Sequence, residues 1–341
     1  MKKKQKKSLP VSVMVIIALA ICGIAVCLFA PMSTSDETSY LYVDDDDDLD
    51  SISAKMDTLC HGYGVAGTMM LARCTGYGGH IRSGRYPISN ATGSLLFFRR
   101  MRNGQQEPVH LTIKSVRTIE RLAEDISQKM MMSKEELMKY LEENDSCAIF
   151  DCDTATIACI FIPNTYDIYW NTSVEGFLKR MKKESATFWN EERTKKAKDL
   201  GLSPTEVITM ASIIDEETAN NGEKPMVAGM YYNRLQQKMP LQADPTIKFA
   251  MKNFEAKRIY RKWLTYDSPY NTYINTGLPP GPIRIPSVAG IDAVLNLVHH
   301  DYTYMCAKED FSGTHNFART YAEHLQNAAK YSKALNDRGI K

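Results

Sequence analysis

Three consecutive carboxylates follow an apolar run in the segment MASIIDEETAN, residues 210–220. A run of acids usually forms the solvated face of a helix, but an acid that borders apolar side chains can serve chemistry. Apolar surroundings disfavour the ionised form of a carboxyl group and raise its pKa, so that it can hold a proton near neutral pH and act as a general acid. The question is which of Asp215, Glu216 and Glu217 lies in such surroundings.

The helix that carries these acids has a complete start signal in residues 203–206, SPTE, with an N-cap serine, proline at the first position and glutamate at the third. At about 100° per residue, Glu216 falls opposite the apolar sector, where a solvated charge belongs. Asp215 and Glu217 flank that sector at about 90° and about 70° from its centre. Glu217 is therefore the best placed of the three, by a small margin. The apolar sector consists of Val207, Met210, Ala211, Ile213 and Ile214.

Further segments accompany this helix in a fixed order between residues 203 and 335. They read YYNRLQQKMPLQADPTI, YDSPYNTYINTGLPPGPI and GTHNF, and with MASIIDEETA they resemble the YceG-like (MltG) family of membrane-anchored endolytic murein transglycosylases. FIPNTY (161–166) resembles an upstream motif of the family, in which an aspartate is usual where this chain has Asn164. Residues 80–145, with a Gly84-Arg85-Tyr86 turn, occupy the place of the family's LysM-like domain.

The resemblance implies an activity and selects an acid. In the family the helix reads A-S-I-[IV]-E-x-E and the second glutamate is catalytic, which corresponds to Glu217; Asp215 stands at the first acidic position. The implied enzyme is a lytic transglycosylase, a carbon–oxygen lyase that cleaves the MurNAc–GlcNAc β-1,4 bond of nascent glycan strands, leaves 1,6-anhydroMurNAc ends and helps to terminate strand elongation. One glutamate suffices there, because the 6-hydroxyl of the same sugar replaces the second carboxylate of a hydrolase.

The segments around LQADPT, YNTY and GTHNF supply the candidate residues of a sugar-binding cleft. Tyrosines can stack on sugar faces, and amide or hydroxyl groups can bind sugar hydroxyls and N-acetyl groups. Each segment also has a structural interpretation: YNTY as a tyrosine-rich turn, LQADPT as the closure of the turn at Pro245, and the histidine as a structural residue. Asn233 and Arg234 favour structural hydrogen bonds. The predicted substrate-binding residues are Gln242, Asp244, Thr246, Tyr270, Asn271, Thr272, Tyr273 and His315.

Charge and residue spacing argue against several other classes of partner. Without the five lysines before residue 8, 37 of the 42 basic residues remain against 40 acidic ones, a formal charge near −3. A nucleic-acid partner would require a concentrated basic face. The aspartates 44–48 lack the spacing and the glycine of a calcium loop, and the adjacent His299 and His300 point about 100° apart on a helix. We therefore expect no metal, no cofactor and no nucleic acid.

The N-terminal residues predict a membrane anchor. Residues 11–30 carry no charge, and about 20 apolar residues can span a bilayer as a helix. The five lysines before them place the N-terminus in the cytoplasm by the positive-inside rule, and the chain after residue 30 outside. A cleaved signal peptide is the alternative, but the apolar stretch is long for one and no clean cleavage site follows. We expect a single-pass inner-membrane protein with a periplasmic catalytic domain.

The fold class predicted from these patterns is α+β. It consists of a transmembrane helix, a small LysM-like α/β module, and a helix-rich catalytic domain with long substrate loops. The loop region runs from about residue 240 to 286, and loops of that length are usually functional or disordered. The expected divisions are a basic cytoplasmic tail (1–10), the transmembrane helix (11–30), an acidic linker (31–50), the LysM-like module (51–150) and the catalytic domain (151–341).

Two other functions compete with the lytic transglycosylase. A muramidase would hydrolyse the same bond and would need a second essential acid, for which Asp215 or Asp244 are candidates. A peptidoglycan-binding scaffold without activity is the non-enzymatic alternative, kept open by the departures from the family pattern at Asp215 and Asn164. In all three cases the partners are peptidoglycan glycan strands and, through residues 11–30, the inner membrane. Cell-wall synthase complexes are further expected partners.

The topology can be tested with a reporter that is active only outside the cytoplasm. Fused after residue 60, it should be active, because the lysine tail retains the N-terminus inside. N-terminal sequencing of the mature protein should find the original N-terminus. A processed N-terminus beyond residue 22 would show instead that residues 11–30 are a signal peptide.

Overall fold

The computed structural model describes residues 10–256 and 258–338, so most of the predicted basic tail (1–10) lies outside the described residues. The described chain forms two compact units. The first runs up to residue 110 and includes 129–131 and 167–172, and the second takes the remainder. The architecture is mixed and rich in helices, with three two-stranded sheets among the described residues.

An apolar helix opens the first unit. It spans 19 residues without a charge, is long and apolar enough to cross a membrane, and buries none of its apolar window. The elements of this unit are α1 (Val11–Phe29), β1 (Ser39–Val43), α2 (Leu49–Asp57), α3 (Gly62–Cys74), β2 (Gly84–Ile88) and α4 (Ser94–Asn103).

The acidic segment at residues 31–50 departs from the predicted linker, because part of it folds into the first unit. Strand β1 pairs antiparallel with β2, and alternate side chains, Leu41 and Val43, are fully buried. Asp48 then caps α2 by accepting hydrogen bonds from the backbone of the first turn. The segment Gly84-Arg85-Tyr86, predicted as a turn, lies in strand β2. Composition alone concealed this, because the apolar residues of β1 stand beside five aspartates.

The second unit is mainly helical. Strands β3 (Val109–Ile113) and β4 (Asn164–Ile168) pair in a two-stranded sheet. The remaining elements are α5 (Ile119–Ser127), α6 (Lys134–Glu142), α7 (Asn144–Ala148), α8 (Val174–Phe188), α9 (Glu191–Asp199), α10 (Pro204–Glu217), α11 (Lys224–Gln236), α12 (Asp244–Ala250), α13 (Val288–Leu295), β5 (Tyr304–Ala307), β6 (His315–Ala318) and α14 (Tyr321–Asp337).

Several local predictions meet the structure directly. The capping box predicted at Ser203 is formed. The structure shows a second one at Ser133, and Gly104 ends α4 in the left-handed conformation. Helices α8 and α9 are separate, because Asn190 caps a new start. The region 240–286 is not one uninterrupted loop, since it contains α12 and a short 3₁₀ helix at Arg261–Trp263.

The core of the second unit is built around α10. All eight residues from Val207 to Ile214 are buried, including the polar Thr209 and Ser212, so the helix is surrounded along most of its length. The two polar side chains bond to backbone carbonyls one turn earlier, which satisfies their donors. Such a helix holds the residues at its C-terminal end in fixed positions.

The motif GLPPGPI forms a close backbone contact within this unit. A Cβ on Gly281 would lie 2.0 Å from the carbonyl oxygen of Ala155. The glycine therefore admits a neighbouring chain segment. Gly277 lies earlier in the same motif and adopts a positive φ of 86°, which favours glycine.

Gly281→Ala should destabilise the protein, because the added methyl group overlaps backbone that cannot rotate away. Overpacking of this kind typically costs about 1–3 kcal/mol. The melting temperature should fall by about 2–4 °C for each kcal/mol. Gly222→Ala is the control, because its Cβ would meet only the flexible Asn220 side chain at 3.3 Å. Equal melting temperatures for the two variants would contradict the contact.

Candidate active site

Asp215, the first acid at the end of α10, has a structural role. Its side chain is only 3% exposed and pairs at 2.7 Å with Nζ of Lys224, which is 6% exposed. It also accepts hydrogen bonds from the backbone N–H of Ser287 at 2.5 Å and from the Ser287 hydroxyl at 3.1 Å. The carboxylate thus joins α10 to the starts of α11 and α13. With its oxygens occupied in this way, Asp215 is not free to act on a substrate.

Glu216 is not solvated, contrary to the helical-wheel prediction. Its side chain is only 12% exposed, and its Oε1 pairs with Nε of Arg117 at 2.9 Å and with Nη1 of Arg284 at 2.8 Å. The wheel accounts for the faces of one helix only. Here the outer face of α10 is covered by residues 99 and 68 positions away in the sequence.

Glu217 is the last residue of α10 and is half-buried in the wall of a cleft. The hydroxyl of Tyr231, itself buried, donates a hydrogen bond of 2.7 Å to Oε1 of Glu217. Burial raises the pKa of this carboxyl to about 7, and the negative charge of Asp244 adds to that effect. The Tyr231 hydrogen bond and the neighbouring His315 oppose it. A carboxyl with this pKa exchanges a proton close to neutral pH, as a general acid must.

Four of the predicted substrate-binding residues share this cleft with Glu217. The cleft has a volume of about 340 Å³. Tyr273 donates a hydrogen bond of 2.5 Å to Asp244, and burial together with the Asp244 charge raises the pKa of the tyrosine hydroxyl. These contacts place a phenol and a second carboxylate in the cavity that Glu217 faces. The four residues are Gln242, Asp244, Tyr273 and His315.

The other four predicted residues do not line the cleft. Thr246, Asn271 and Thr272 are at most 1% exposed and bond to the surrounding chain. Asn271, for example, donates to the carbonyls of Leu264 and Tyr266 and accepts from the N–H of Tyr273. The side chains of these three therefore bond within the protein and do not line the cleft. They brace the loop that presents Tyr273, so that YNTY is part structural turn and part cleft.

Tyr270 is also absent from the cleft, since it lines a second cavity. Its ring packs against Phe249 with a centroid separation of 4.7 Å. Within YNTY, Tyr270 and Tyr273 therefore line different cavities, and the two residues between them are buried.

His315 is held by a buried acid. The backbone N–H of His315 donates to Oε1 of Glu223 at 2.6 Å, and its Nδ1 lies 3.0 Å from Oε2 of the same residue. Glu223 is 8% exposed. The ring is thereby fixed on β6 at the edge of the cleft, with the orientation set by a partner that the sequence did not reveal.

Sequence reasoning missed several residues of the cleft wall. Arg234, expected to be structural, does donate to the carbonyls of Thr303 and Leu241, at 2.6 and 2.7 Å, but it also lines the cavity. Asn233 bonds to the carbonyls of His300 and Tyr302, as predicted for a structural residue. The residues that were missed come from α11, β5 and α14, and are Tyr231, Tyr304, Tyr321 and His324.

The polar cleft contains one carboxyl group with a raised pKa, at the end of a buried helix. Such a site is typical of an enzyme that transfers protons. The sequence model of the YceG-like family matches residues 41–330, which is most of the chain. The chain therefore belongs to the YceG-like family.

Relatives with an assigned activity cover part of the same region. An endolytic murein transglycosylase of Bacillus subtilis is 36% identical over 168 residues, 49% of this chain and 46% of the relative. An endolytic murein transglycosylase of Streptococcus pneumoniae is 27% identical over 285 residues, 74% of this chain and 51% of the relative. The chain thus spans about half the length of the curated relatives that it matches.

A solved structure supports the fold. The crystal structure of a yceG-like protein from Listeria monocytogenes superposes with a TM-score of 0.56 at 25% identity. The superposition covers 86% of this chain and 99% of that one. The architecture described above is therefore shared with a YceG-like relative over nearly its whole length.

The raised pKa of Glu217 predicts a pH-dependent effect on stability. Its folded-state pKa of about 7 exceeds the ordinary value of 4.5, so the folded state binds the proton more tightly than the unfolded state does. Stability is therefore lost as the pH rises from about 4.5 to about 7. Glu217→Gln removes the penalty of ionisation. It should raise the free energy of unfolding by up to about 3 kcal/mol at pH 8 and by less than about 1 kcal/mol at pH 5.

Urea denaturation of the two proteins at pH 5 and pH 8 measures this difference. Removing a charged group from an exposed surface site usually changes the free energy of unfolding little. Here, by contrast, the variant should be more stable than the wild type at pH 8. An equal difference at both pH values would mean that Glu217 titrates normally.

Proposed function

We propose that this chain is an endolytic lytic transglycosylase that cleaves the MurNAc–GlcNAc β-1,4 bond of nascent glycan strands. Membership of the family and the names of the relatives support the substrate class. The observation that carries the mechanism is the contrast between two acids on one helix. Asp215 is locked in a buried ion pair, whereas Glu217 faces the cleft with a pKa near neutrality.

In the proposed reaction the protonated Glu217 donates its proton to the glycosidic oxygen as the bond to C1 of MurNAc breaks. The resulting carboxylate accepts the proton of the 6-hydroxyl of the same sugar, whose oxygen closes on C1 to form the 1,6-anhydro ring. No water is consumed, and Glu217 ends the cycle protonated. Tyr231 positions the carboxyl through the hydrogen bond to Oε1 and stabilises the anion that forms midway.

The other cleft residues have roles consistent with binding a polar chain. The ring of Tyr273 can stack on a sugar, while Gln242 and His315 offer hydrogen-bonding groups. We propose these contacts in place of those expected from Thr246, Tyr270, Asn271 and Thr272. The buried members of that group act by holding Tyr273 and Asp244 in register, since Thr246 and Thr272 bond to each other at 2.9 Å.

A muramidase remains the second candidate, favoured by one observation. Asp244 lies in the same cleft as Glu217, and a hydrolase requires a second carboxylate to activate water or to attack C1. Asp215, the other candidate for that role, is withdrawn into its ion pair with Lys224. The two reactions differ in their products, because hydrolysis leaves reducing ends.

The placement in the cell is also a proposal. We propose that α1 anchors the protein in the inner membrane as a single pass, with the lysine-rich tail in the cytoplasm and the catalytic domain outside. The LysM-like module expected at residues 51–150 would bind the glycan strand beside the catalytic domain of 151–341. Association with cell-wall synthase complexes would bring the cleft to strands as they are made.

Glu217→Gln should abolish most cleavage, because the amide retains the shape and accepts the Tyr231 hydrogen bond but cannot donate the acid proton. General acid–base groups contribute about 10²- to 10⁴-fold, and turnover on isolated glycan strands should fall by that order. Mass spectrometry of the wild-type products should find 1,6-anhydroMurNAc ends. Reducing ends would show that water is the nucleophile and that the muramidase assignment is correct.

Asp215→Asn is the matched control on the same helix. It leaves Lys224 buried without a counter-charge, so it should lower the melting temperature, at a cost of about 3–5 kcal/mol. Activity per folded molecule should be retained. Loss of activity in Asp215→Asn with full activity in Glu217→Gln would reverse the assignment of the acid.

A further inference from the structure

The second cavity of this unit takes no part in the chemistry proposed above. It has a volume of about 340 Å³ and shares no lining residue with the cleft of Glu217. Most of its wall is apolar. The wall includes Ala155, Ala158, Phe249, Phe254, Tyr270 and Ile285.

One side of this cavity is cationic. Arg117 and Arg284 both line it, and both pair with the same oxygen of Glu216. The cavity wall carries three cationic side chains, with Lys252 as the third, against one carboxylate, Glu120, and Glu255 adds a negative charge near Arg117. In addition, Nε of Arg284 is buried and has no hydrogen-bond partner within the described ranges 10–256 and 258–338. The Arg284 side chain is 17% exposed and that of Arg117 is 51% exposed, so guanidinium groups remain open to an anionic ligand, which forms charge-assisted hydrogen bonds with them.

The two cavities lie at opposite ends of one short helix. Asp244, at the start of α12, lines the cleft of Glu217, whereas Phe249 and Ala250, at its end, line the second cavity. Seven helical residues span about 10 Å. An extended peptide of four residues reaches about 13 Å, so a peptide attached to a sugar in the cleft can reach the second cavity.

We propose that the second cavity binds the stem peptide of the glycan strand, with its terminal carboxylate on Arg117 and Arg284 and its alanine methyl groups against the apolar wall. This rests on the proposed function, since the strand must first be the substrate. The peptides of nascent strands end in D-alanyl-D-alanine, which combines small apolar side chains with a free carboxylate. The cavity would therefore bind strands that carry their peptides in preference to strands that have lost them.

Binding can be measured without catalysis. The probe is a peptide that ends in D-alanyl-D-alanine, titrated calorimetrically into the full chain in detergent. A charge-assisted hydrogen bond typically contributes enough for about a 10-fold change in affinity, so Arg117→Gln should weaken binding by about 10-fold. Arg121→Gln is the matched control, because Arg121 lies on the same segment, is similarly exposed and does not line the cavity.

Two further comparisons test the mode of binding. A peptide with an amidated C-terminus should bind about 10-fold more weakly, because it lacks the carboxylate. Ala250→Leu, which fills the cavity, should abolish binding. Equal affinity for the acid and the amide, or for Arg117→Gln and Arg121→Gln, would overturn the proposal.

Cleavage assays separate this proposal from the proposed function. The wild type should cleave peptide-bearing strands with a lower KM than strands stripped of peptide, and Arg117→Gln should remove that difference. Equal KM values in the wild type would overturn the role of the cavity while leaving the transglycosylase intact. Failure to cleave either kind of strand would overturn the proposed function, and the peptide titration would then decide the cavity by itself.

Discussion

The buried ion pair between Asp215 and Lys224 is the interaction on which the second unit most depends. Both side chains are almost completely withdrawn from solvent, and the carboxylate also receives two hydrogen bonds from Ser287. A buried pair of this kind need not stabilise a fold more than apolar packing would, but its geometry is specific. It joins the end of α10 to the starts of α11 and α13.

The three adjacent acids of α10 differ in their surroundings because they occupy successive positions on a helix. Successive residues point about 100° apart, so Asp215, Glu216 and Glu217 enter three different environments. The first is neutralised by a lysine, the second by two arginines, and the third faces a cleft with only a phenol as a close partner. Of the three acids, only Glu217 lacks a cationic partner at bonding distance among the described residues, so burial raises its pKa despite the opposing hydrogen bond from Tyr231.

The two cavities divide the properties that a branched substrate would require. The cleft of Glu217 is lined by carboxylates, phenols and two histidines, which suit sugar hydroxyls and proton transfer. The second cavity combines aromatic and aliphatic walls with guanidinium groups. Glu216 connects the two cavities. It lies between Asp215 and Glu217 in the sequence, and it bonds both arginines of the second cavity. The same helix end therefore organises both sites.

The sequence by itself determined the elements whose signals are local: the apolar helix at residues 11–29, the capping boxes, and α10 with Glu217 beside its apolar sector. It also led to the family, because those motifs are short and ordered. The tertiary structure alone decided the partners of the acids, the burial of Asn271 and Thr272, and the presence of Tyr231 and β5 in the cleft. The physical reason is sequence distance. Glu216 meets Arg117 and Arg284 across 99 and 68 residues, and no helical period encodes a contact of that range.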